Sequence, residues 1–278
     1  MKTDQYAILV NTCDKFEDCW NPFFKLFSIY WPNYDGKIYL NTEYKDFSYP
    51  GLNIIPVKGC EKHQFPKTKR ATWSQCLKWA LESMDADIVL YLQEDYFLKD
   101  HVKNDIIEKY AVLIGSNDDI HCINLTDMTE TAKLIPIENA DLYPVDPKFY
   151  GRIHCQAALW QKKILLSCIR LYESAWQFEA LGSQREMAKP HNIYGIESVR
   201  FTKFEIIPYI FTGLVQGRWY KEVVPLFEKH NIIIDYSIRG FENDAPKRTM
   251  SMKVRGKIIR TYYQVRNYFE IRKLRKKK

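Results

Sequence analysis

The 278-residue sequence predicts an α/β fold, in which a mostly parallel, Rossmann-like sheet is covered by helices on both faces. Short apolar runs at residues 6–10 and 87–92 lack the alternation of a half-exposed strand, which is typical of strands buried on both faces. Between such runs, apolar residues recur every three or four positions, which predicts helices. Strands and helices alternate through residues 1–125, and the less regular sequence beyond them predicts a mixed C-terminal extension of the sheet.

The predicted elements can be placed in order along the chain. The first strand is followed by a helix whose apolar stripe contains Phe16, Trp20, Phe23, Phe27 and Trp31. Further strands are predicted at 37–40, 53–57, 87–92, 120–125, 153–160 and 206–211, and further helices at 72–84, 102–114, 164–172, 175–188 and 221–230. Residues 126–150 predict a long loop with room for one hairpin, and loops of that length are uncommon unless they have a function.

Composition excludes several classes of protein. Hydrophobic residues make up 46% of the chain and aromatic residues 15%, which excludes a disordered or collagen-like protein. The seven cysteines are scattered without a Cys-x-x-Cys pair, so we expect neither a disulfide framework nor a zinc ribbon, but a reducing, cytoplasmic compartment. The absence of a signal-peptide pattern and of an uncharged apolar run of about 18 residues argues against secretion and membrane spanning.

The net charge of +7 is distributed unevenly. Residues 246–278 contain 13 lysines and arginines against one acid, Glu270, whereas the first 245 residues carry 28 basic and 33 acidic residues. The sequence therefore predicts a mildly acidic body, 1–245, and a strongly basic tail, 246–278.

The tail has the pattern of an amphipathic helix over residues 252–274. Its apolar residues fall within an arc of roughly 120°, flanked on both sides by lysines and arginines, which is typical of a helix lying on an anionic membrane. A helix docked on its own domain is the alternative. Nucleic-acid binding is disfavoured, because the acidic body supplies no second basic face. The apolar arc consists of Val254, Ile258, Tyr262, Val265, Tyr268 and Phe269.

Two adjacent carboxylates follow the most apolar strand, in the triplet Gln93, Glu94 and Asp95. Neighbouring acids beside a buried strand are costly unless a cation or hydrogen-bond donors compensate them. Hard divalent cations such as Mn²⁺ and Mg²⁺ prefer carboxylate and phosphate oxygens, so Glu94 and Asp95 could hold a metal-bound diphosphate. The alternative is a solvated strand end, where acids cost little.

Further polar residues are expected at the same edge of the sheet. Thr12, Cys13 and Asp14 follow the first strand, and ligands of such sheets bind beyond the carboxyl ends of the strands. Arg70 precedes the helix predicted at 72–84, and a helix N-terminus with a nearby cation is a good phosphate site. The alternative for Arg70 is an exposed basic loop.

Two segments combine aromatic and charged residues. Glu179 lies near Trp176 and Phe178, and a carboxylate among aromatic rings has a raised pKa that suits proton abstraction. Alternatively, these rings belong to the core and Glu179 flanks a helix. A glycine-bounded turn precedes Arg218 and Trp219, which could bind a phosphate and a sugar ring, or form a structural turn with a core tryptophan.

Several segments together match the pattern of one protein family. They are Asn-Thr-Cys-Asp at 11–14, Asp-Cys-Trp-Asn-Pro-Phe-Phe at 18–24, Tyr-Trp-Pro at 30–32, Leu-Tyr-Leu-Gln-Glu-Asp-Tyr-Phe-Leu at 90–98, Trp-Gln-Phe-Glu at 176–179 and Gly-Arg-Trp at 217–219. Through them, roughly residues 5–242 resemble bacterial capsule or O-antigen glycosyltransferases with a GT-A fold. In that fold an acidic motif, usually Asp-x-Asp, binds the nucleotide-sugar diphosphate through Mn²⁺ or Mg²⁺. The resemblance implies that Asp95, beside Glu94, holds the metal and that Gln93 lies nearer the ribose.

The resemblance also implies an activity. Thr12, Cys13 and Asp14 would hold the nucleotide, with residues 1–125 binding the donor and residues 126–245 the acceptor. Glu179 would be the base of an inverting transfer, and Trp176, Arg218 and Trp219 would contact the acceptor. Acceptors in this family are commonly lipid-linked glycans at the cytoplasmic face of the membrane, which agrees with the basic tail.

Two other functions are compatible with the pattern. A nucleotidyl or sugar-phosphate transferase uses a similar sheet and acidic site, but normally has a glycine-rich loop after the first strand, and residues 11–22 contain no glycine. A non-catalytic nucleotide-sugar-binding subunit of a polysaccharide assembly complex is motivated only by the departure from Asp-x-Asp.

Overall fold

The computed structural model describes residues 6–126, 142–144, 151–188, 193–196, 205–244 and 249–275. Its strands are β1 (Ala7–Asn11), β2 (Ile38–Leu40), β3 (Ile54–Pro56), β4 (Ile88–Gln93), β5 (Cys122–Asn124), β6 (Leu142–Pro144), β7 (Ala158–Gln161), β8 (Ile193–Ile196), β9 (Leu214–Val215) and β10 (Arg218–Trp219). Its α-helices are α1 (Glu17–Tyr30), α2 (Gly59–Lys62), α3 (Trp73–Ser83), α4 (Asn104–Ser116), α5 (Lys162–Cys168), α6 (Ala175–Ala188), α7 (Val223–Lys229) and α8 (Met250–Arg275).

Eight strands of the described residues form one sheet in the order β3-β2-β1-β4-β7-β5-β8-β6. The first four strands in that order are parallel neighbours. Strand β7 runs antiparallel to both β4 and β5, β8 is parallel to β5, and β6 is antiparallel to β8. The prediction of a mostly parallel sheet with a mixed C-terminal extension is confirmed.

Alternate side chains of the central strands enter two separate cores. In β4, Ile88, Leu90 and Leu92 pack with residues of α1 and α4, whereas Val89 and Tyr91 pack with residues of α3, α5 and α6. Because both faces are buried, the strand has no polar alternation, which is why its sequence is a continuous apolar run. The predicted helical layers on both faces are therefore confirmed.

The strand predicted at 153–160 is shorter in the structure, where β7 begins only at Ala158. The backbone N–H of Ile153 donates to the Ser183 hydroxyl at 3.0 Å, and that of Cys155 donates to the Glu179 carboxylate at 2.8 Å. Side chains of α6 thus accept hydrogen bonds from backbone N–H groups that would otherwise pair with a neighbouring strand. The helix predicted at 164–172 is also displaced, since α5 spans Lys162–Cys168.

The strand predicted at 206–211 is absent among the described residues. Only one isolated bridge forms there, between Tyr209 and Leu98. Pro208 has no N–H to continue a ladder, which explains why the pairing stops after this bridge. The long loop predicted at 126–150 lies largely outside the described residues, apart from Thr126 and β6.

The tail forms the predicted helix, α8, and docks on the body by one face. Asn267 is fully buried and accepts a hydrogen bond from Arg185 at 2.9 Å, while Glu270 accepts hydrogen bonds from Arg170 and Tyr172. At 100° per residue, Asn267 and Glu270 lie opposite the apolar arc, whose six residues stay 52–66% exposed. In the part of the chain that the structure describes, no helix combines the length and apolar character needed to cross a bilayer.

Arg185 supports the docked tail through a buried ion pair, and we predict that its loss destabilises the protein strongly. Its guanidinium donates to both oxygens of Glu173 at 2.7 and 2.9 Å, and the two side chains are 3% and 0% exposed. Arg185→Met leaves a buried carboxylate without its partner, so we expect the free energy of unfolding to fall by about 3–5 kcal/mol. Urea denaturation at an unchanged m-value measures this loss.

The exposed pair between Lys163 and Asp118 provides the matched control. We expect Lys163→Met to change the free energy of unfolding by less than about 1 kcal/mol. Equal effects of the two substitutions would contradict the role given to Arg185.

Candidate active site

The carboxyl ends of β1 and β4 bring two polar segments to one edge of the sheet. The two strands are parallel neighbours, and Asn11 pairs in register with Gln93. Residues 12–14 and 94–95 therefore leave the sheet side by side, as predicted. This is the edge at which sheets of this kind bind ligands.

Asp95 is held by the segment that precedes β9. One carboxylate oxygen, Oδ2, accepts hydrogen bonds from the Thr212 hydroxyl at 2.8 Å and from the backbone N–H of Leu214 at 3.2 Å. The other oxygen, Oδ1, is buried and has no hydrogen-bond partner among the residues that the structure describes. Gly213 makes the approach possible, since a Cβ there would lie 2.2 Å from the Phe97 ring and 2.8 Å from the backbone oxygen of Asp95.

Glu94 is buried beside Asp95, and burial together with the Asp95 charge raises its pKa well above the usual range. Burial also raises the pKa of Asp95, against the hydrogen bonds from Thr212 and Leu214 that lower it. The positive charge of Arg239 acts on Glu94 in the opposite direction, but this guanidinium is paired with Asp18. Two buried, adjacent carboxylates with an unpartnered oxygen fit a divalent cation, so Glu94 and Asp95 are the residues that could hold one.

The loop after β1 is built by its own hydrogen bonds. Thr12 is buried and accepts a hydrogen bond from the Trp20 indole at 2.9 Å. Asp14 accepts from the backbone N–H groups of Glu43 and Tyr44 at 2.8 and 2.9 Å, so both of its oxygens are used to join this loop to the one after β2. Asp14 therefore shapes the loop, and its carboxylate has less capacity left for a ligand.

Cys13 and Arg70 reach the same edge. Cys13 is half-buried, and burial, with the nearby charges of Glu94 and Glu43, raises its pKa to about 11. Arg70 is exposed, and its charge acts on both Cys13 and Glu43. It lies two residues before Thr72, the N-cap of α3. An exposed cation thus lies at the rim of the site.

Glu179 reaches the same edge from α6. Its Oε1 accepts the Cys155 backbone N–H at 2.8 Å, and Cys155 lies beside Tyr91 and Gln93. Burial raises the pKa of Glu179, although the Cys155 hydrogen bond opposes the shift. The chain thus brings a third carboxylate, 84 residues after Asp95, to the end of β4.

The aromatic and cationic residues predicted for the acceptor have different surroundings. Trp176 lies in the first turn of α6 and is 77% exposed, so its ring is free to stack on a ligand. Arg218 donates to the backbone carbonyl of Arg239 at 3.0 Å. Trp219 is 0% exposed and packs against Phe97 and other rings, so it is a core residue with no face open to an acceptor.

Four residues of the site were not predicted from the sequence: Tyr91, Cys155, Thr212 and Arg239. Tyr91 accepts hydrogen bonds from Asn11 at 3.0 Å and Gln93 at 3.2 Å, and so orders the end of β4. The glycine beside Thr212 was the one available signal. Nothing in the local sequence marks Arg239, which lies 144 residues after Asp95.

Fold and site together define an α/β protein with a buried acidic pair at the carboxyl edge of a mostly parallel sheet, and with a further carboxylate, Glu179, bound to the Cys155 backbone N–H. No protein-family model and no curated protein matches the chain. Among solved structures, the 1–349 fragment of S. aureus TarS matches 70% of this chain and 60% of its own length at 10% identity and a TM-score of 0.39. The mannosyltransferase PcManGT from Pyrobaculum calidifontis, solved with GDP-Man and Mn²⁺, matches 68% of this chain and 53% of its own length at 13% identity and a TM-score of 0.41.

A CMP:2-keto-3-deoxy-manno-octonic acid synthetase complexed with CTP also matches, over 69% of this chain and 88% of its own length, at 13% identity and a TM-score of 0.38. The chain spans 60% and 53% of the lengths of the first two proteins. At these TM-scores the likeness carries no argument about activity.

Proposed function

We propose that the protein is a glycosyltransferase that moves a sugar from a nucleotide-sugar donor to a glycan acceptor in surface polysaccharide synthesis. The observation that carries the proposal is the buried pair Glu94 and Asp95, with the unpartnered Oδ1 of Asp95 at the end of the central strand. Such a pair is electrostatically unfavourable without a cation. A divalent cation with a bound diphosphate supplies both the charge and the missing ligand.

The donor binds where the two strand ends meet. Glu94 and Asp95 would hold Mn²⁺ or Mg²⁺, and the bound cation would supply positive charge to the diphosphate. Arg70 adds a second positive charge at the rim, where it faces the phosphates. The loop at Thr12 and Cys13 borders the nucleotide, and its shape is maintained by the Asp14 hydrogen bonds.

The acceptor approaches from the side of α6. Trp176 supplies an exposed ring on which a sugar can stack. Glu179 takes the proton of the acceptor hydroxyl while its oxygen forms the new bond to the anomeric carbon. The bond from that carbon to the diphosphate breaks, and the diphosphate leaves with the electron pair, so the configuration is inverted. The Cys155 N–H fixes the carboxylate for this step.

We predict that the donor site requires Asp95. Wild-type protein should show a higher melting temperature with one of UDP, GDP, dTDP or CMP, and only in the presence of Mn²⁺. Ligand at 100 times its Kd stabilises the native state by about 2.7 kcal/mol. Asp95→Asn should lose this metal-dependent shift and still fold, because it removes one of two buried like charges.

The control for the donor site is Asp118→Asn, at an exposed carboxylate remote from the edge. It should retain the full shift. A metal-dependent shift of equal size in Asp95→Asn would remove the acidic pair from the donor site.

We predict that Glu179→Gln lowers turnover by a factor of about 10²–10⁴ with nucleotide binding unchanged, since it removes only the base. The measurement is the rate of nucleoside diphosphate release with acceptor present. Wild-type activity should fall as the pH is lowered, because protonation inactivates the base. Burial raises the pKa of Glu179, so this loss should occur at a pH above the ordinary pKa of a glutamate. Glu82→Gln, on the exposed face of α3, is the control. Unchanged turnover in Glu179→Gln would exclude this base.

We also propose that α8 attaches the enzyme to the inner face of the cytoplasmic membrane, where a lipid-linked acceptor would lie. The apolar arc points away from the body, and lysines and arginines flank it. Each basic residue near an anionic surface contributes about 1 kcal/mol of binding. The exposed arc adds apolar burial to this electrostatic attraction.

Membrane attachment predicts that a negative charge within the apolar arc weakens binding to anionic lipid. Ile258→Glu and Val265→Glu should each weaken binding to anionic liposomes at least tenfold in sedimentation assays, without changing the melting temperature, since both side chains are exposed. Ile233→Glu, at an apolar residue 96% exposed on the body, is the matched control and should bind as the wild type does. Liposome binding that survives both arc substitutions would refute attachment through α8.

A further inference from the structure

Two cysteines that are distant from each other in the sequence meet beside the loop after β2. One carboxylate oxygen of Glu43 and the Sγ atoms of Cys60 and Cys76 all lie within 4.8 Å of one another. Cys60 lies in α2 and Cys76 in α3, so the cluster joins three separate segments. All seven cysteines of the chain are free, and the Sγ atoms of these two lie side by side.

The two cysteines of the cluster are buried among apolar side chains. Cys60 is 1% and Cys76 is 7% exposed, and both pack in a small apolar cluster with Ala71, Phe65 and Trp79 around them. Glu43 is half-buried, and burial and the Asp14 charge raise its pKa. Three groups that carry negative charge when deprotonated are thus gathered where water is scarce. The positive charge of Arg70 acts on Glu43 and lowers its pKa against these effects.

We propose that Glu43, Cys60 and Cys76 bind a thiophilic divalent cation such as Zn²⁺. Two thiolates and a carboxylate are accepted zinc ligands, with Zn–S near 2.3 Å and Zn–O near 2.0–2.2 Å. Tetrahedral coordination with these lengths separates two sulfurs by about 3.8 Å, which is compatible with three ligand atoms that lie within 4.8 Å of one another. A water molecule would be the fourth ligand. Both thiols are free rather than joined in a disulfide, so both are available as ligands together with the Glu43 carboxylate.

This site is distinct from the acidic pair at the end of β4. The ligands at that edge are carboxylates alone, which select hard cations, whereas two thiolates select soft ones. The two sites are nevertheless linked through the loop after β1, because Glu43 also accepts the backbone N–H of Asp14 at 3.3 Å. A cation on Glu43 would therefore fix that loop in place. The proposal does not depend on the glycosyltransferase activity.

The experiment is a titration of the reduced, chelator-stripped full-length protein with Co²⁺ under anaerobic conditions. Cobalt in a thiolate site gives a thiolate-to-metal charge-transfer band in the ultraviolet, and Zn²⁺ should abolish the band by displacement. We expect saturation at one Co²⁺ per chain. Asp95→Asn should leave the band unchanged, because the hard site at β4 contains no sulfur.

Cys60→Ser and Cys76→Ser should each reduce the band and weaken Co²⁺ binding at least tenfold. Cys168→Ser, at a buried cysteine on α5, is the matched control and should behave as the wild type does. Circular dichroism checks that each variant is folded, and the wild-type titration is decisive if one of them is not. The proposal is overturned if the wild-type protein shows no band, or if Cys60→Ser and Cys76→Ser show a band as strong as that of the wild type. It is also overturned if Cys60 and Cys76 form a disulfide and the protein binds no metal.

Discussion

The desolvation of two adjacent carboxylates at the end of β4 is the constraint on which the site depends. Glu94 and Asp95 follow a strand that is buried on both faces, so their charges cannot be spread into water. Part of the cost is offset by donors from a distant segment, the Thr212 hydroxyl and the Leu214 N–H. The remaining negative charge, and the unpartnered oxygen of Asp95, are what a bound cation would satisfy.

This constraint also explains why widely separated segments converge here. Gly213 must lack a side chain for its segment to reach Asp95, because a Cβ would collide with Phe97. Arg239 contributes a positive charge toward Glu94 while it is held by Asp18 at the start of α1. The C-terminal part of the body therefore contacts the N-terminal half through the groups that stabilise the acidic pair. These groups are the hydrogen-bond donors of Thr212 and Leu214 and the positive charge of Arg239.

The sequence predicts the structure correctly wherever a single strand or helix determines it. Continuous apolar runs predicted β1 and β4, and their parallel arrangement predicted that residues 12–14 and 94–95 share one edge. It was a poor guide where the outcome depends on a distant partner. The strand predicted at 153–160 begins late because side chains of α6 accept hydrogen bonds from the backbone N–H groups of Ile153 and Cys155. Trp219 is buried and Trp176 is exposed, although both have aromatic or charged neighbours in the sequence.

Helix α6 connects the proposed membrane surface to the proposed chemistry. Glu179 lies near its N-terminal end, and Arg185, which binds Asn267 of α8, lies six residues further along the same helix. At 1.5 Å per residue these positions are about 9 Å apart along the helix axis. A tail that rests on a membrane by its exposed arc therefore holds α6, and with it Glu179, at a set distance from the lipid surface. A base fixed in this way suits an acceptor hydroxyl that is itself tethered to a lipid, since both reacting partners are then positioned relative to one plane.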